Sequence, residues 1–388
     1  MLKKQDFLDV LNHNILDFWM SQMTDHDQGG FYGQITGGGT LIPTADKSVI
    51  LNARILWTFS AAYPVTGNPA HLASADRAFD YLLNNFIDKK EGGVFWRLDH
   101  KGTRKEGKKQ IYAQAFAIYA LSQYHKIRPE REAKQYAIEL YQLIEKHSFD
   151  QERNGYYEAL DQSWQPLADV RLSEKDMNAT KTMNTHLHIM EAYTTLYEIW
   201  PNDTLRTQLI NLIALMSTRF VTEKAHFKLF FNDDWELQSN EISYGHDIEG
   251  GWLLCEAAQA IGDPELMTEV NQMAIRMTDA ALEGLDGDEG LMNEADAEGL
   301  SDTDKHWWPQ AEAMVGLVNA GQISKDESYL AKAESVWNFT SKYLIDPEGE
   351  WHWKVNRAGV NDLKNDKAGA WKCPYHNGRA MIEMILRL

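Results

Sequence analysis

Histidines beside carboxylates are the part of this sequence best suited to chemistry at neutral pH. The densest such stretch is Ser243-Tyr244-Gly245-His246-Asp247-Ile248-Glu249-Gly250-Gly251-Trp252. An apolar run to Ala260 follows, so the stretch reads as a helix with ionisable groups in its first turn and core beyond. Three residues apart, His246 and Glu249 share a helix face, which lets the carboxylate orient or charge the imidazole. An imidazole tuned this way is suited to general acid/base work. The bland alternative is a capped helix with a solvated carboxylate. Five further stretches repeat the arrangement, and that favours the chemical reading.

Those stretches contribute Arg54, then Tyr112, then Asn184 with His186 and His188. After His246 and Glu249 come His306, Trp307, Trp308, Gln310 and Glu312, and last Trp371, Tyr375 and His376. Arg54 lies in the apolar run 50–57, where an unpaired charge is costly; it is read as a contact to a ligand oxygen rather than as a buried ion-pair partner. His186 and His188 stand two apart, about 200° round a helix, which makes them a poor zinc pair and turns at most one to the lumen. His188 is assigned to the site and His186 to the core. Trp307 and Trp308 divide in the same way between core and sugar platform. Tyr112 fits core or site, Glu312 and Gln310 fit ligand contact or helix interior, and Asp247 fits a capping or orienting role.

The elements that must hold these residues repeat with the same period. Segments 29–33, 92–96, 154–158, 226–230, 290–294 and 349–353 place aromatic and β-branched residues after glycine or other turn residues, and most precede a second turn. They read as small hairpins roughly 60 residues apart, one interval nearer 70, which leaves room for two helices between them. Apolar residues at helical spacing mark twelve segments: 4–22, 47–63, 69–87, 108–127, 130–147, 181–200, 203–221, 244–261, 264–283, 304–321, 326–344 and 371–388. Pro69, Pro264 and the Pro201-Asn202-Asp203 turn stand where helices start or stop. The even-numbered segments are apolar on more than one side and the odd ones amphipathic, which puts the even set inside and the odd set outside. Together these features predict an all-α protein: an (α/α)6 barrel of twelve alternating outer and inner helices with short β-hairpins at its mouth, one domain over 1–388. All inner-helix N-termini then open on one mouth, so the residues named above line one polar, aromatic pocket.

Composition narrows the partners. Lys and Arg number 38 against 57 Asp and Glu, a net charge of -19, which disfavours nucleic acid and anionic membranes. No apolar run reaches membrane-spanning length. Met1-Leu2-Lys3-Lys4-Gln5-Asp6 leads into an amphipathic pattern unlike a signal or transit peptide, so a cytoplasmic protein is expected. Cys255 and Cys373 are the two cysteines, allowing neither a disulfide framework nor a CxxC pair. Thirteen tryptophans supply platforms for sugar faces, with core packing taking a share.

GxGxxG, Walker, HExxH and GxSxG motifs are absent, so no cofactor and no metal is expected. The chemistry falls to histidines, carboxylates and one arginine. That set suits proton abstraction beside a carbonyl, with the cation taking the developing oxyanion charge. Glycosidic hydrolysis needs two opposed carboxyls instead, which Glu249 with Glu312 or Asp247 could supply.

Five stretches, in order, carry a resemblance: Ile50-Leu51-Asn52-Ala53-Arg54-Ile55-Leu56-Trp57, Met183-Asn184-Thr185-His186-Leu187-His188, Tyr244-Gly245-His246-Asp247-Ile248-Glu249, His306-Trp307-Trp308-Pro309-Gln310-Ala311-Glu312 and Trp371-Lys372-Cys373-Pro374-Tyr375-His376-Asn377-Gly378-Arg379. They resemble the motifs of the N-acylglucosamine 2-epimerase superfamily, in particular its cellobiose 2-epimerase branch, over essentially the whole chain. The resemblance implies an (α/α)6 barrel and cofactor-independent inversion at C2 of a reducing aldose, by ring opening, histidine abstraction of the C2 proton and a cis-enediolate. It further implies that His188 serves ring opening, that His246 and His376 are the acid/base pair, that Arg54 sits by O1 and O2, and that Glu249 supports its neighbouring histidine. Tyr112, Asn184, Trp308 and Trp371 correspond to ligand contacts, the last two by stacking, and His306 and Glu312 join the substrate-binding set. The implied small-molecule substrate is cellobiose, with lactose also accepted. Mannose or glucose, in a D-mannose 2-epimerase or an aldose-ketose isomerase on the same scaffold, is the alternative. A monomer or weak homodimer is expected. At one place the chain departs from the family pattern: Gly250-Gly251 replaces Ala-Ser before Trp252, which is unfavourable in a helix and vacates side-chain volume near the base. Rim segment 284–306 is expected to decide between disaccharide and monosaccharide.

Overall fold

In the computed structural model, twelve helices alternate along the described residues, 2–287 and 290–388. Met1, and residues 288–289 of the rim segment, lie outside the described residues. Helix α1 runs Lys4–Asp9, passes through a π-helical stretch Val10–Leu16 and continues over Asp17–Gln22. Then follow α2 (Val49–Thr66), α3 (Pro69–Tyr81, with a π-helical end Leu82–Phe86), α4 (Ile111–Ile127) and α5 (Ala133–His147). The second half holds α6 (Met183–Ile199), α7 (Asp203–Thr218), α8 (Tyr244–Ile261) and α9 (Pro264–Ala281). It ends with α10 (Trp307–Ser324), α11 (Glu327–Tyr343) and α12 (Tyr375–Arg387).

The odd helices are outer and the even ones inner. Asn68, Asn202, Asp263 and Asp326 each accept a backbone N–H in the first turn of α3, α7, α9 and α11, caps worth about 1 kcal/mol apiece. Pro69 and Pro264 occupy the first helical position, where no N–H is needed. Outer helices bury one stripe, as α9 does with Val270, Ala274, Met277 and Ala281. Inner α2 buries every residue from Val49 to Ala62, Arg54 included. That contrast is the alternation read from the sequence.

All six tight turns form, closed by the bridges Thr24↔Phe31, Ile87↔Val94, Phe149↔Tyr156, Val221↔Phe227, Leu285↔Leu291 and Ile345↔Trp351. The residues ahead of each inner helix then pair antiparallel with the hairpin of the next repeat, as Lys47↔Leu98, Lys109↔Leu160, Lys181↔Phe231, Ile242↔Ala295 and Lys305↔Val355. Repeat six closes on repeat one through Ile35↔Ala368, where the Ile35 N–H donates to the Ala368 carbonyl at 2.8 Å. Buried Glu350 reinforces the closure, accepting from Trp19 Nε1, Lys372 Nζ and Asn377 Nδ2, each at 2.6 Å.

Inner helices start later than their apolar pattern suggests. Segments 47–63, 108–127, 181–200 and 304–321 open instead on or beside the two-residue strands Lys47–Ser48, Lys109–Gln110, Lys181–Thr182 and Lys305–His306. Segment 371–388 becomes helical only at Tyr375, because Pro374 has no N–H and disfavours helical geometry at Cys373.

The hairpin ring also carries a feature absent from the sequence reading. Lys47, Lys109, Lys181, Lys305 and Lys367 reach under the turn to Asp25, Asp88, Asp150, Asp286 and Asp346 at 2.6, 2.9, 2.7, 3.0 and 2.6 Å. In repeat four both partners are replaced together: Ile242 takes the lysine's register, and Thr222 makes the turn bond to His226. Among the described residues no helix is long and apolar enough to cross a membrane.

Candidate active site

The inner-helix N-termini converge on a cavity of about 570 Å³ at the hairpin mouth. Its wall includes Arg54 from α2, Tyr112 from α4, Asn184 and His188 from α6, and His246 and Glu249 from α8. His306, immediately ahead of α10, adds to it with Trp308, as do Trp371, four residues ahead of α12, and His376 in its first turn. Of the eleven residues expected to act in catalysis or substrate binding, Glu312 alone is off this wall; it lies buried and is bonded to His376. Gln310 and Tyr375, named beside them in the sequence, are off the wall as well. Trp308 is half-exposed against both His246 and His376, with ring centroids 4.7 and 5.7 Å away, while Trp307 is buried against Trp353.

Besides His306, three imidazoles face the cavity, each on its own support. His188 Nδ1 bonds Glu191 Oε2 at 2.8 Å, and His376 Nδ1 bonds Glu312 Oε1 at 2.6 Å. His246 Nδ1 bonds the Ser243 hydroxyl at 2.8 Å. Glu249 does not reach His246, which corrects the expectation drawn from their spacing. Its Oε1 accepts from Arg379 Nη2 at 2.5 Å, an attachment on another helix that turns the carboxylate away. Burial pushes His246 down to about 3, with His188 adding to the effect. Burial likewise holds His376 well below the usual imidazole range, helped by the Arg54 and Arg379 guanidiniums. Both rings are therefore neutral at physiological pH, the form in which an imidazole accepts a proton.

Arg54 has no carboxylate partner among the described residues. Its Nη2 donates to the Tyr112 hydroxyl at 2.7 Å, and its guanidinium lies 4.3 Å from the Phe116 ring centroid and 4.8 Å from that of Tyr375. Nε is buried without a partner, as are Asn184 Oδ1 and Glu249 Oε2 on the same wall. Buried polar atoms without a partner are uncommon, and three of them gathered behind one cavity wall mark it as a functional site.

Beneath the wall Arg379 gathers three glutamates. Nη1 donates to Glu191, and Nη2 to Glu249 at 2.5 Å and Glu312 at 2.7 Å. Tyr375 donates to Glu191 at 2.5 Å and Trp252 Nε1 to Glu312 at 3.0 Å. Burial raises Glu249 to about 7, with Glu312 adding and Arg379 opposing. Burial would also raise Glu191, but Arg379 and His188 outweigh it and hold that carboxyl below its usual range. Sharing one guanidinium nitrogen sets Glu249 and Glu312 side by side rather than across a substrate bond, which removes the geometry a glycosidase needs. Glu249, Glu312 and His376 offer ligand atoms within 4.8 Å of one another, yet Arg379 Nη2 already occupies the place between the two carboxylates that a metal cation would take.

Other sequence candidates turn out to anchor the hairpins. His186 Nε2 accepts the Tyr156 N–H at 2.8 Å, Asp247 Oδ1 that of Phe227 at 2.6 Å, and Gln310 Oε1 that of Leu291 at 2.7 Å. Asp247 also bonds His226 Nδ1 at 2.7 Å. The glycine pair needs correction too. A Cβ on Gly250 would fall 2.2 Å from the Phe227 ring, and one on Gly251 would fall 3.3 Å from the Ala274 carbonyl of α9. These glycines admit the hairpin and the outer helix, and open no volume beside His246. Two functional residues escaped the sequence reading: Glu191, at the same three-residue spacing from His188, and Arg379, a charge inside an apolar helix as Arg54 is.

Residues 30–380 match the sequence profile of N-acylglucosamine 2-epimerase (GlcNAc 2-epimerase). The chain is 47% identical over 385 residues to a cellobiose 2-epimerase of Bacteroides fragilis, with 98% of each chain covered. The solved structure of cellobiose 2-epimerase from Bacillus thermoamylovorans B4167 superposes with a TM-score of 0.94 at 37% identity, covering 99% of both chains. A D-mannose isomerase structure, 20% identical, shares the fold with a TM-score of 0.88 over 100% of this chain and 98% of that one. With its barrel, its cavity and its sequence in agreement over nearly the full length, the chain belongs to the N-acylglucosamine 2-epimerase family.

Proposed function

We propose that this protein is a cellobiose 2-epimerase, inverting C2 of a reducing β-1,4-linked disaccharide. The observation that carries the reading is the pair of neutral imidazoles, His246 and His376, flanking one Trp308 indole on a wall that also holds Arg54. His188, seated on Glu191, moves the proton that opens the sugar ring. One imidazole then takes the C2 proton. The C–H electron pair forms a C1=C2 double bond, and the carbonyl pair moves to O1. Arg54, with the Tyr112 hydroxyl bonded to it, meets the negative charge arising on O1 and O2 of the cis-enediolate. Where His246 is the base, neutral His376 gives its Nε2 proton to the opposite face of C2 as the C1 carbonyl re-forms, and takes one at Nδ1 from the Glu312 carboxyl, which burial raises. His246 ends with a proton gained and Glu312 with one lost, and exchange resets them. Trp308 and Trp371 offer flat faces to the sugar rings, while Asn184 and His306 supply polar contacts. Flanking cavities of about 470 and 610 Å³ share Leu172 and Ser173 with the central one, which leaves space for a second ring.

Proton NMR in D2O with cellobiose, lactose, mannose and glucose in separate tubes tests this. Deuterium at C2 with the C2 epimer growing in, fastest for a disaccharide, is the expected result. Mannose exchanging fastest would overturn the disaccharide assignment, and new monosaccharide signals without C2 exchange would overturn the epimerase. His246→Ala and His376→Ala should each slow C2 exchange by about 10²–10⁴-fold with an unchanged circular dichroism spectrum.

A further inference from the structure

We propose that Ser243 is a positioning residue for proton transfer at C2, fixing the ring of His246 so that its Nε2 meets the substrate. The inference rests on the epimerase reading above. Its argument comes from the internal repeat, which shows what a hydroxyl at this place ordinarily does. Ser48 and Thr182 stand immediately ahead of α2 and α6, and each closes its helix as an N-cap: Leu51 N donates to Ser48 Oγ at 3.1 Å, and Thr185 N to Thr182 Oγ1 at 3.2 Å. Ser243 stands immediately ahead of α8 in extended backbone, at φ -116° and ψ 102°, and makes no side-chain cap. Its hydroxyl goes instead to His246 Nδ1, at 2.8 Å. The helix forgoes a contribution that N-cap hydroxyls normally make, and the imidazole gains a fixed partner.

Two contacts then define the ring. Ser243, buried at 3% exposure, holds Nδ1, and the Trp308 indole packs against the ring at 4.7 Å between centroids, tilted by 51°. Nε2 has no protein partner among the described residues and opens on the cavity. With Nδ1–H donated to Ser243 Oγ, the Nε2 lone pair faces the C2 hydrogen. When Nε2 takes that proton, the C–H pair passes into the enediolate as above and the Nδ1–H bond to Ser243 is unchanged. His188 and His376 rest on glutamates; His246 alone of the three is supported without a formal charge.

The test uses the full chain, with Ser243→Ala and Ser243→Thr beside wild type. It measures C2 exchange of cellobiose in D2O across pH, thermal unfolding, and ¹⁵N spectra of histidine-labelled protein without substrate. Because Arg54, His188, Glu249, His306, His376, Lys175 and Asp176 also border the cavity, the pH profiles are compared between variants rather than assigned to one group. Ser243→Ala is expected to lower kcat about 100-fold with KM within about twofold, the cost of a misplaced base. It should also turn a single His246 tautomer into a mixture, and Ser243→Thr should recover most of both effects. Ser243→Ala with wild-type kcat and pH profile, or with a lowered Tm and unaltered ring-nitrogen shifts, would overturn the proposal and leave the hydroxyl a packing role only. Absence of C2 exchange in wild type sinks the epimerase reading itself, whereas exchange present in wild type and unaltered in Ser243→Ala sinks only the role of Ser243.

Discussion

Buried charge is handled in opposite ways at the hairpin ring and at the cavity floor. In the ring each lysine meets one aspartate, five times over, with Arg357 adding a second cation only at Asp286, so every buried charge there has its partner. At the floor one guanidinium, Arg379, meets three carboxylates, Glu191, Glu249 and Glu312. Two negative charges would be left over if all three ionised, and burial lifts Glu249 and Glu312 instead. Against burial, the partner lysines and turn N–H groups of the balanced pairs hold the aspartates below the usual carboxylate range. The unbalanced cluster keeps exchangeable protons beside the histidines that need them.

Breaking the floor should cost the most. Arg379→Leu leaves three buried glutamates without their common cation, and truncating one partner of a buried pair already costs about 3–5 kcal/mol. Urea denaturation should show at least that loss. C2 exchange should fail even in the folded fraction, because His188 and His376 rest on Glu191 and Glu312. A variant of near wild-type stability would mean that the glutamates are already neutral and the cluster carries no charge to balance.

A smaller, reversible effect is expected in the ring. Lys181→Ile strands Asp150 and should cost about 3 kcal/mol in the same measurement. Adding Asp150→Thr copies the pair that repeat four already uses, Ile242 with Thr222, and should return most of the loss. Recovery would establish the ring pairs as interchangeable scaffold. A double variant no better than the single would show that repeat four is packed differently from the rest.

The same contrast explains what the sequence made legible. Alternation of all-round apolar and amphipathic segments located the twelve helices, and the recurring turn residues located the hairpins, because both signals are local. Ten of the eleven expected site residues line the cavity, because the inner-helix N-termini converge there; other buried polar residues of the same helices, His186, Asp247 and Gln310, anchor hairpins instead. Partnership was not legible. The pairs His246–Glu249 and His188–Glu191 have identical spacing, yet only the second forms: Glu191 reaches His188 and Arg379 at once, whereas Glu249 bonds Arg379 from 130 positions away and His246 turns to Ser243. The lysine–aspartate ring had a signal, a lysine ahead of inner helices and an aspartate after outer ones, but the contact crosses the hairpin and no helical or strand period reports it.

The finest test sets the pH dependence of the two regions against each other. A carboxyl raised by burial, as Glu249 is from 4.5 to about 7, holds a proton in the folded state that the unfolded chain releases. Stability attached to it is therefore present at low pH and declines as pH rises through roughly 4.5 to 7. Asp150 runs the other way: burial alone would raise it, but Lys181 and the backbone N–H groups of Arg153 and Glu152 bring it to about 2. Its contribution is present above the unfolded value and is lost as pH falls toward 2. Glu249→Gln imitates the protonated acid, so variant and wild type should melt together below about pH 4.5, with the variant the more stable of the two by pH 8. A gap of the opposite sign would mean that Arg379 holds Glu249 ionised. The floor would then be a salt bridge like those in the ring, and the protons the mechanism draws on would have to come from the histidines alone.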